Sequence, residues 1–145
     1  MIGLGSDHGG IELKNYIINW LKENGYEVKD YGSYDTNPVD YPDIAEKVCN
    51  GVVKGEVECG MLFCGTGIGM SIAANKIKGI RAACLSDTYS AMRTKQHNNT
   101  NVICLGGRVI GPELASEVVK SYLNAQFQGG RHENRVNKIT ALENK

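Results

Sequence analysis

The stretch Gly60-Met61-Leu62-Phe63-Cys64-Gly65-Thr66-Gly67-Ile68-Gly69 decides how this chain folds. An apolar run ends on a thiol, glycines follow, and Ser71-Ile72-Ala73-Ala74-Asn75-Lys76 continues with a helix-like composition. A buried strand that turns through glycines into a helix is the anion-binding corner of open α/β sheets, where backbone N–H groups face negative charge. The thiol adds chemistry to that corner. Free N–H groups and a helix dipole favour thiolate over thiol at such a position, which makes Cys64 a candidate base or nucleophile. The same residues also suit plain packing, because cysteine is among the most commonly buried side chains, so the rest of the chain has to decide between the two.

Working outward, short apolar runs alternate with amphipathic stretches. Strands are expected at Ile2–Ser6, Glu27–Tyr31, Gly60–Cys64, Arg81–Ser86 and Asn101–Leu105, and helices or long turns at Ile11–Asn24, Pro42–Lys54, Gly69–Lys78, Asp87–Gln96 and Pro112–Gln126. Five β-α units in succession imply an α/β fold whose five-stranded parallel sheet is covered on both faces. Ligands of such sheets sit at the carboxyl ends of the strands. Those ends carry Ser6-Asp7-His8-Gly9-Gly10, Cys64 with its glycine loop, Ser86-Asp87 and Gly106-Gly107-Arg108, and all of them are expected along one edge. Gly129-Gly130 then breaks the chain, and Arg131–Leu142 reads as a polar helix with Val136, Ile139 and Leu142 on an apolar stripe. Residues 129–145 are expected to form a C-terminal helical arm docking on its own or a partner subunit, within a single domain spanning 1–145.

The 145 residues suffice for one core. Acidic and basic residues balance at sixteen each, so no excess positive charge points to nucleic acid and no basic amphipathic stretch points to a membrane surface. The N-terminal sequence lacks the regions of a signal peptide and no apolar run is long enough to span a bilayer, which suggests a cytoplasmic protein. Five cysteines without a Cys-x-x-Cys pair argue against a disulfide framework or a zinc site.

Several residues carry possible chemistry beside an ordinary structural reading. Arg131 and Arg135 share a face if their segment is helical and can grip one phosphate together; a solvated face paired through Glu133 is the alternative. Arg108 is either a third anion contact or a turn residue. His97 can exchange protons near neutrality or simply cap a helix, and Asp7, beside His8, suits a ligand contact or an N-cap. Other motifs fail: the dinucleotide fingerprint counted from Gly65 meets Met70 where glycine is required, and a cysteine phosphatase needs arginine at the same Met70. The phosphate-loop lysine signature and metal-ligand spacing are absent. A thiol base, an amide-lined loop, a histidine and an arginine clamp remain, with no cofactor or metal expected. An aldose–ketose isomerase needs those parts.

Taken together, Gly5-Ser6-Asp7-His8-Gly9-Gly10, Tyr41-Pro42-Asp43, Cys64-Gly65-Thr66-Gly67-Ile68-Gly69, Ala73 with Asn75-Lys76, His97-Asn98, Gly106-Gly107-Arg108 and Arg131-His132-x-x-Arg135 resemble the ribose-5-phosphate isomerase B (RpiB/LacA) family of sugar-phosphate isomerases, in family order from end to end. The resemblance implies a three-layer α/β/α Rossmann-like fold, no cofactor or metal, and interconversion of ribose 5-phosphate and ribulose 5-phosphate in the pentose phosphate pathway. It implies that Cys64 moves the proton between the two carbons with Thr66 nearby. It casts Gly65, Thr66, Gly67, Ile68 and Gly69 as the hole for the enediolate, and His97 as the ring-opening residue with Asn98 holding a substrate oxygen. Asp7 and His8 then contact sugar and phosphate, and Arg108, Arg131 and Arg135 bind the phosphate. It further implies a homodimer or homotetramer whose sites are completed across subunits. One branch of the family uses a glutamate a few residues later as base, whereas this chain keeps the cysteine. The alternatives are a six-carbon substrate, allose 6-phosphate or galactose 6-phosphate, and a non-catalytic sugar-phosphate-binding module on the same sheet.

Overall fold

A computed structural model describes Met1–Lys145. The chain runs β1 (Ile2–Ser6), α1 (Ile11–Glu23), β2 (Val28–Asp30), α2 (Tyr41–Val53), β3 (Cys59–Cys64), α3 (Ile68–Ala74), β4 (Ala82–Cys84), α4 (Thr88–Asn98), β5 (Val102–Gly106), α5 (Pro112–Asn124) and α6 (Arg131–Leu142). All strand pairs are parallel, in the order β2-β1-β3-β5-β4. The register sets Ser6 beside Phe63 and Cys64 beside Gly106, so the loops after β1, β3 and β5 emerge together. The connection after β1 leads toward one edge of the sheet and that after β3 toward the other, which opens a crevice between their carboxyl ends.

Alternation along the strands builds the two outer layers. Ile2, Leu4, Met61, Phe63, Ile103 and Leu105 face α1, α4 and α5, while Leu62, Cys64, Val102 and Cys104 face α2 and α3. The result is the three-layer α/β/α arrangement with α6 lying outside it against α4. Only Val136 of the expected apolar stripe is buried; Ile139 and Leu142 remain exposed.

Helices α3 and α4 differ from the sequence expectation for local reasons, β4 is shorter than expected at Ala82–Cys84, and α5 ends at Asn124 rather than Gln126. Helix α3 stops at Ala74 rather than Lys78 because Asn75 turns its amide to the edge strand, donating to the Ala82 carbonyl at 2.9 Å and accepting from the Ala82 N–H at 2.9 Å. That side chain substitutes for a sheet neighbour on β4. Helix α4 runs two residues past Gln96, and Asn99 closes it in the left-handed region at φ 46°.

One charge lies inside the fold. Lys14 on α1 is fully buried and donates to Asp30 at 2.7 Å and to the Ser33 carbonyl at 2.5 Å, which anchors the loop that leaves β2. Removing one partner of such a pair strands the other charge and is strongly destabilising.

Candidate active site

Cys64 is the last residue of β3, and its Sγ accepts the Gly67 N–H at 3.1 Å. The loop curls back over the sulfur because Gly67 adopts φ 81°, and a β-carbon there would lie 3.0 Å from the Leu105 carbonyl carbon. Thr66 is exposed and its hydroxyl accepts the Ile68 N–H at 3.2 Å. Two of the loop's donors are therefore spent on the thiol and the threonine. The N–H groups of Gly65, Thr66 and Gly69 find no acceptor within the chain and remain for an anion.

The neighbouring loops lock against this one. The Gly107 and Arg108 N–H groups donate to the Cys64 and Gly65 carbonyls at 2.8 and 2.9 Å, and the Arg108 side chain crosses Gly65, 3.5 Å from where its β-carbon would stand. On the other flank a β-carbon on Gly10 would meet the Phe63 carbonyl carbon at 2.4 Å, so only glycine permits that approach. Asp7 accepts the Gly9 and Gly10 N–H groups at 2.8 and 3.2 Å through one carboxylate oxygen. It is thus a turn cap and a wall of the cleft at once.

Two depressions adjoin along this edge. One of about 440 Å³ is bounded by Asp7, Tyr41, Cys64, Thr66 and Ile72; the other, of about 230 Å³, is bounded by His8, Thr36 and Arg108. Asp7, His8, Cys64, the loop from Gly65 to Gly69 and Arg108 are therefore brought together. Tyr41 and Thr36 were not among the expected site residues. A signal for Tyr41 was present in Tyr41-Pro42-Asp43, one of the stretches that carry the family resemblance, and its ring fills the space a β-carbon on Gly69 would need, 2.7 Å away; the position of Thr36 follows from a loop with no periodic pattern.

The remaining expected residues lie at the opposite edge of the sheet. His97 and Asn98 end α4 just before β5 begins, and β5 advances about 13 Å before reaching the level of Cys64. Arg131 and Arg135 start α6 beside them, both exposed and on one helix face. His132, between the arginines, is buried and stacks on His97 with ring centroids 4.1 Å apart and planes 7° from parallel. Burial, His97, Arg131 and Arg135 all hold His132 below the usual histidine range. A single chain thus carries a thiol cluster and an imidazole–guanidinium cluster that do not meet.

Three buried thiols are poorly suited to chemistry. Burial pushes Cys49 up to about 12 and Cys59 up to about 11, and drives Cys104 well above its usual value. No group of His, Cys, Asp or Glu side chains is placed to hold a metal ion, and no helix is long and apolar enough to cross a membrane.

Comparison with known proteins reaches the whole of this architecture. The family model described as Ribose/Galactose Isomerase matches residues 2–139. The ribose-5-phosphate isomerase B of Escherichia coli is 51% identical over 142 residues, covering 98% of this chain and 95% of that protein. A D-erythrulose-4-phosphate isomerase of Pectobacterium atrosepticum is 49% identical, with 98% and 94% covered. The structure of Clostridium thermocellum ribose-5-phosphate isomerase B superposes with a TM-score of 0.97 at 50% identity, covering 99% of this chain and 97% of that one. With the family match spanning both clusters and the parallel sheet between them, this chain belongs to the ribose/galactose isomerase family.

Proposed function

We propose that this chain is an aldose–ketose isomerase of a single domain, acting in the cytoplasm on ribose 5-phosphate and ribulose 5-phosphate with Cys64 as the base. The observation that carries the proposal is the Cys64 thiol at a strand end, held by the Gly67 N–H at 3.1 Å beneath a loop of unspent amide donors. Base and oxyanion donors share one short loop, as enolisation requires.

The reaction begins with the furanose. As the bond between C1 and the ring oxygen breaks, the ring oxygen gains a proton and the C1 hydroxyl loses one, so a single imidazole, His97, relays the proton and leaves an aldehyde. Asn98 holds a sugar oxygen during this step. The Cys64 thiolate then removes the C2 proton, the aldehyde oxygen becomes an enediolate oxygen facing the N–H groups of Gly65, Thr66 and Gly69, and the thiol returns the proton to C1. Transfer of the O2 proton to O1, with Thr66 within reach, completes the ketose. Asp7 and His8 contact the sugar and phosphate, and Arg108, Arg131 and Arg135 bind the phosphate.

The separation of the half-sites supports a homo-oligomer in which His97, Asn98, Arg131 and Arg135 of one copy complete the thiol half-site of another. A closed two-fold pair makes two such sites at once. A second reading of substrate, a four-carbon sugar phosphate, is favoured by the 49% identity to the D-erythrulose-4-phosphate isomerase. Ribose 5-phosphate turnover by the purified chain with chelator present tests the proposal, with Cys64→Ala as control. Ketose formation that vanishes in the variant is the expected result; equal turnover by the variant removes Cys64 from the role of base.

A further inference from the structure

We infer that His132 is a positioning residue for ring opening, its imidazole stacking on His97 and setting the plane in which His97 presents its nitrogens to the sugar. The inference rests on the ring-opening role proposed for His97. The two rings are 4.1 Å apart and 7° from parallel. No hydrogen bond within the chain engages the His97 ring, so this stack is the contact that fixes it. Backbone geometry delivers the partner ring: the Gln128 N–H donates to the Gln96 carbonyl at 3.0 Å, which pins the segment before α6 to the end of α4, and the His132 N–H donates to Gly129 at 3.1 Å.

The chemistry explains why a second histidine suits this position. A proton relay between two sugar oxygens needs the imidazole edge held in line with both. A half-buried ring on the last turn of a helix rotates freely unless something covers its face. A flat neutral partner covers it without occupying either nitrogen, and tolerates a proton on His97, whereas two stacked cations repel. Burial, His97 itself and the Arg131 and Arg135 guanidinium groups push His132 toward the neutral form.

The test compares His132→Ala, His132→Phe and His97→Asn on two reactions. The first is turnover of ribose 5-phosphate. The second is exchange of the C1 hydrogens of ribulose 5-phosphate into deuterated water, because this ketose, with O5 phosphorylated, is acyclic and needs no ring opening. His132→Ala is expected to lower kcat on ribose 5-phosphate about tenfold or more with KM changed less than about threefold, and to leave exchange within about twofold. His132→Phe, which keeps a flat ring and loses the titratable nitrogens, is expected to recover turnover to within about threefold. The inference is overturned if His132→Ala turns over normally while His97→Asn does not, if exchange falls in step with turnover, or if phenylalanine fails to recover it. Full turnover by His97→Asn sinks the ring-opening reading itself, a result distinguishable from the others.

Discussion

At the carboxyl edge of the sheet the chemistry is held by backbone, whereas at the opposite edge it is held by side chains on two helices. Cys64, the glycine loop and the loops after β1 and β5 are tied by main-chain hydrogen bonds of 2.8 to 3.1 Å and by contacts that admit only glycine. His97, Asn98, Arg131 and Arg135 project from helix ends, fixed chiefly by a ring stack. A base that must reach carbon needs placement to a fraction of an ångström. A phosphate clamp tolerates more freedom, since charge falls off slowly with distance. Under the proposed mechanism the difference places proton abstraction at one edge and phosphate binding and ring opening at the other.

The largest expected effect tests the rigid edge directly. Cys64→Ala is expected to lower kcat about 10³-fold while substrate still binds, measured as turnover beside a direct binding isotherm. Loss of binding in step with turnover would break the division between the edges. Gly67→Ala comes next, because a β-carbon at φ 81° meets Leu105 at 3.0 Å and the loop must shift away from the sulfur. It is expected to cost about 100-fold in kcat and about 1–2 kcal/mol in stability, read by kinetics and by denaturant unfolding. Unchanged kcat in a destabilised variant would show that the hydrogen bond to Cys64 is incidental.

The same contrast explains what the sequence disclosed. Strand–glycine–helix punctuation is a local signal, so β3, its loop and the edge shared by Asp7, Cys64 and Arg108 were legible from residue order alone. The early end of α3 was hidden because Asn75 acts through Ala82, a partner that only the folded sheet supplies. Arg131 and Arg135 were legible as a pair, being four residues apart on one helix. Their distance from Cys64 was hidden, because periodicity fixes which face a residue occupies and is silent on which edge of the sheet a distant helix reaches. His132 passed without a role for a similar reason: its partner, His97, is 35 positions away.

Smaller effects probe the helix-borne edge. Arg131→Ala is expected to raise KM about tenfold with kcat within about threefold, since the contact proposed for it would bind phosphate in ground and transition state alike. An unchanged KM removes it from the clamp.

The last test asks whether the two edges serve one another across subunits. Cys64→Ala and His97→Asn proteins are each expected to be nearly inactive on ribose 5-phosphate. Unfolded together and refolded, half of the resulting pairs are mixed, and each mixed pair holds one site with both residues intact and one site with both lost. Turnover should therefore return to about one quarter of wild type, although neither parent contributes an active site alone. If His97 instead served the Cys64 of its own chain, every site in every pair would carry one lesion and mixing would restore nothing. The recovered quarter thus depends on the roughly 13 Å of strand that separates the half-sites within a protomer, and it requires the second copy to bring its α4 end and its arm to the thiol.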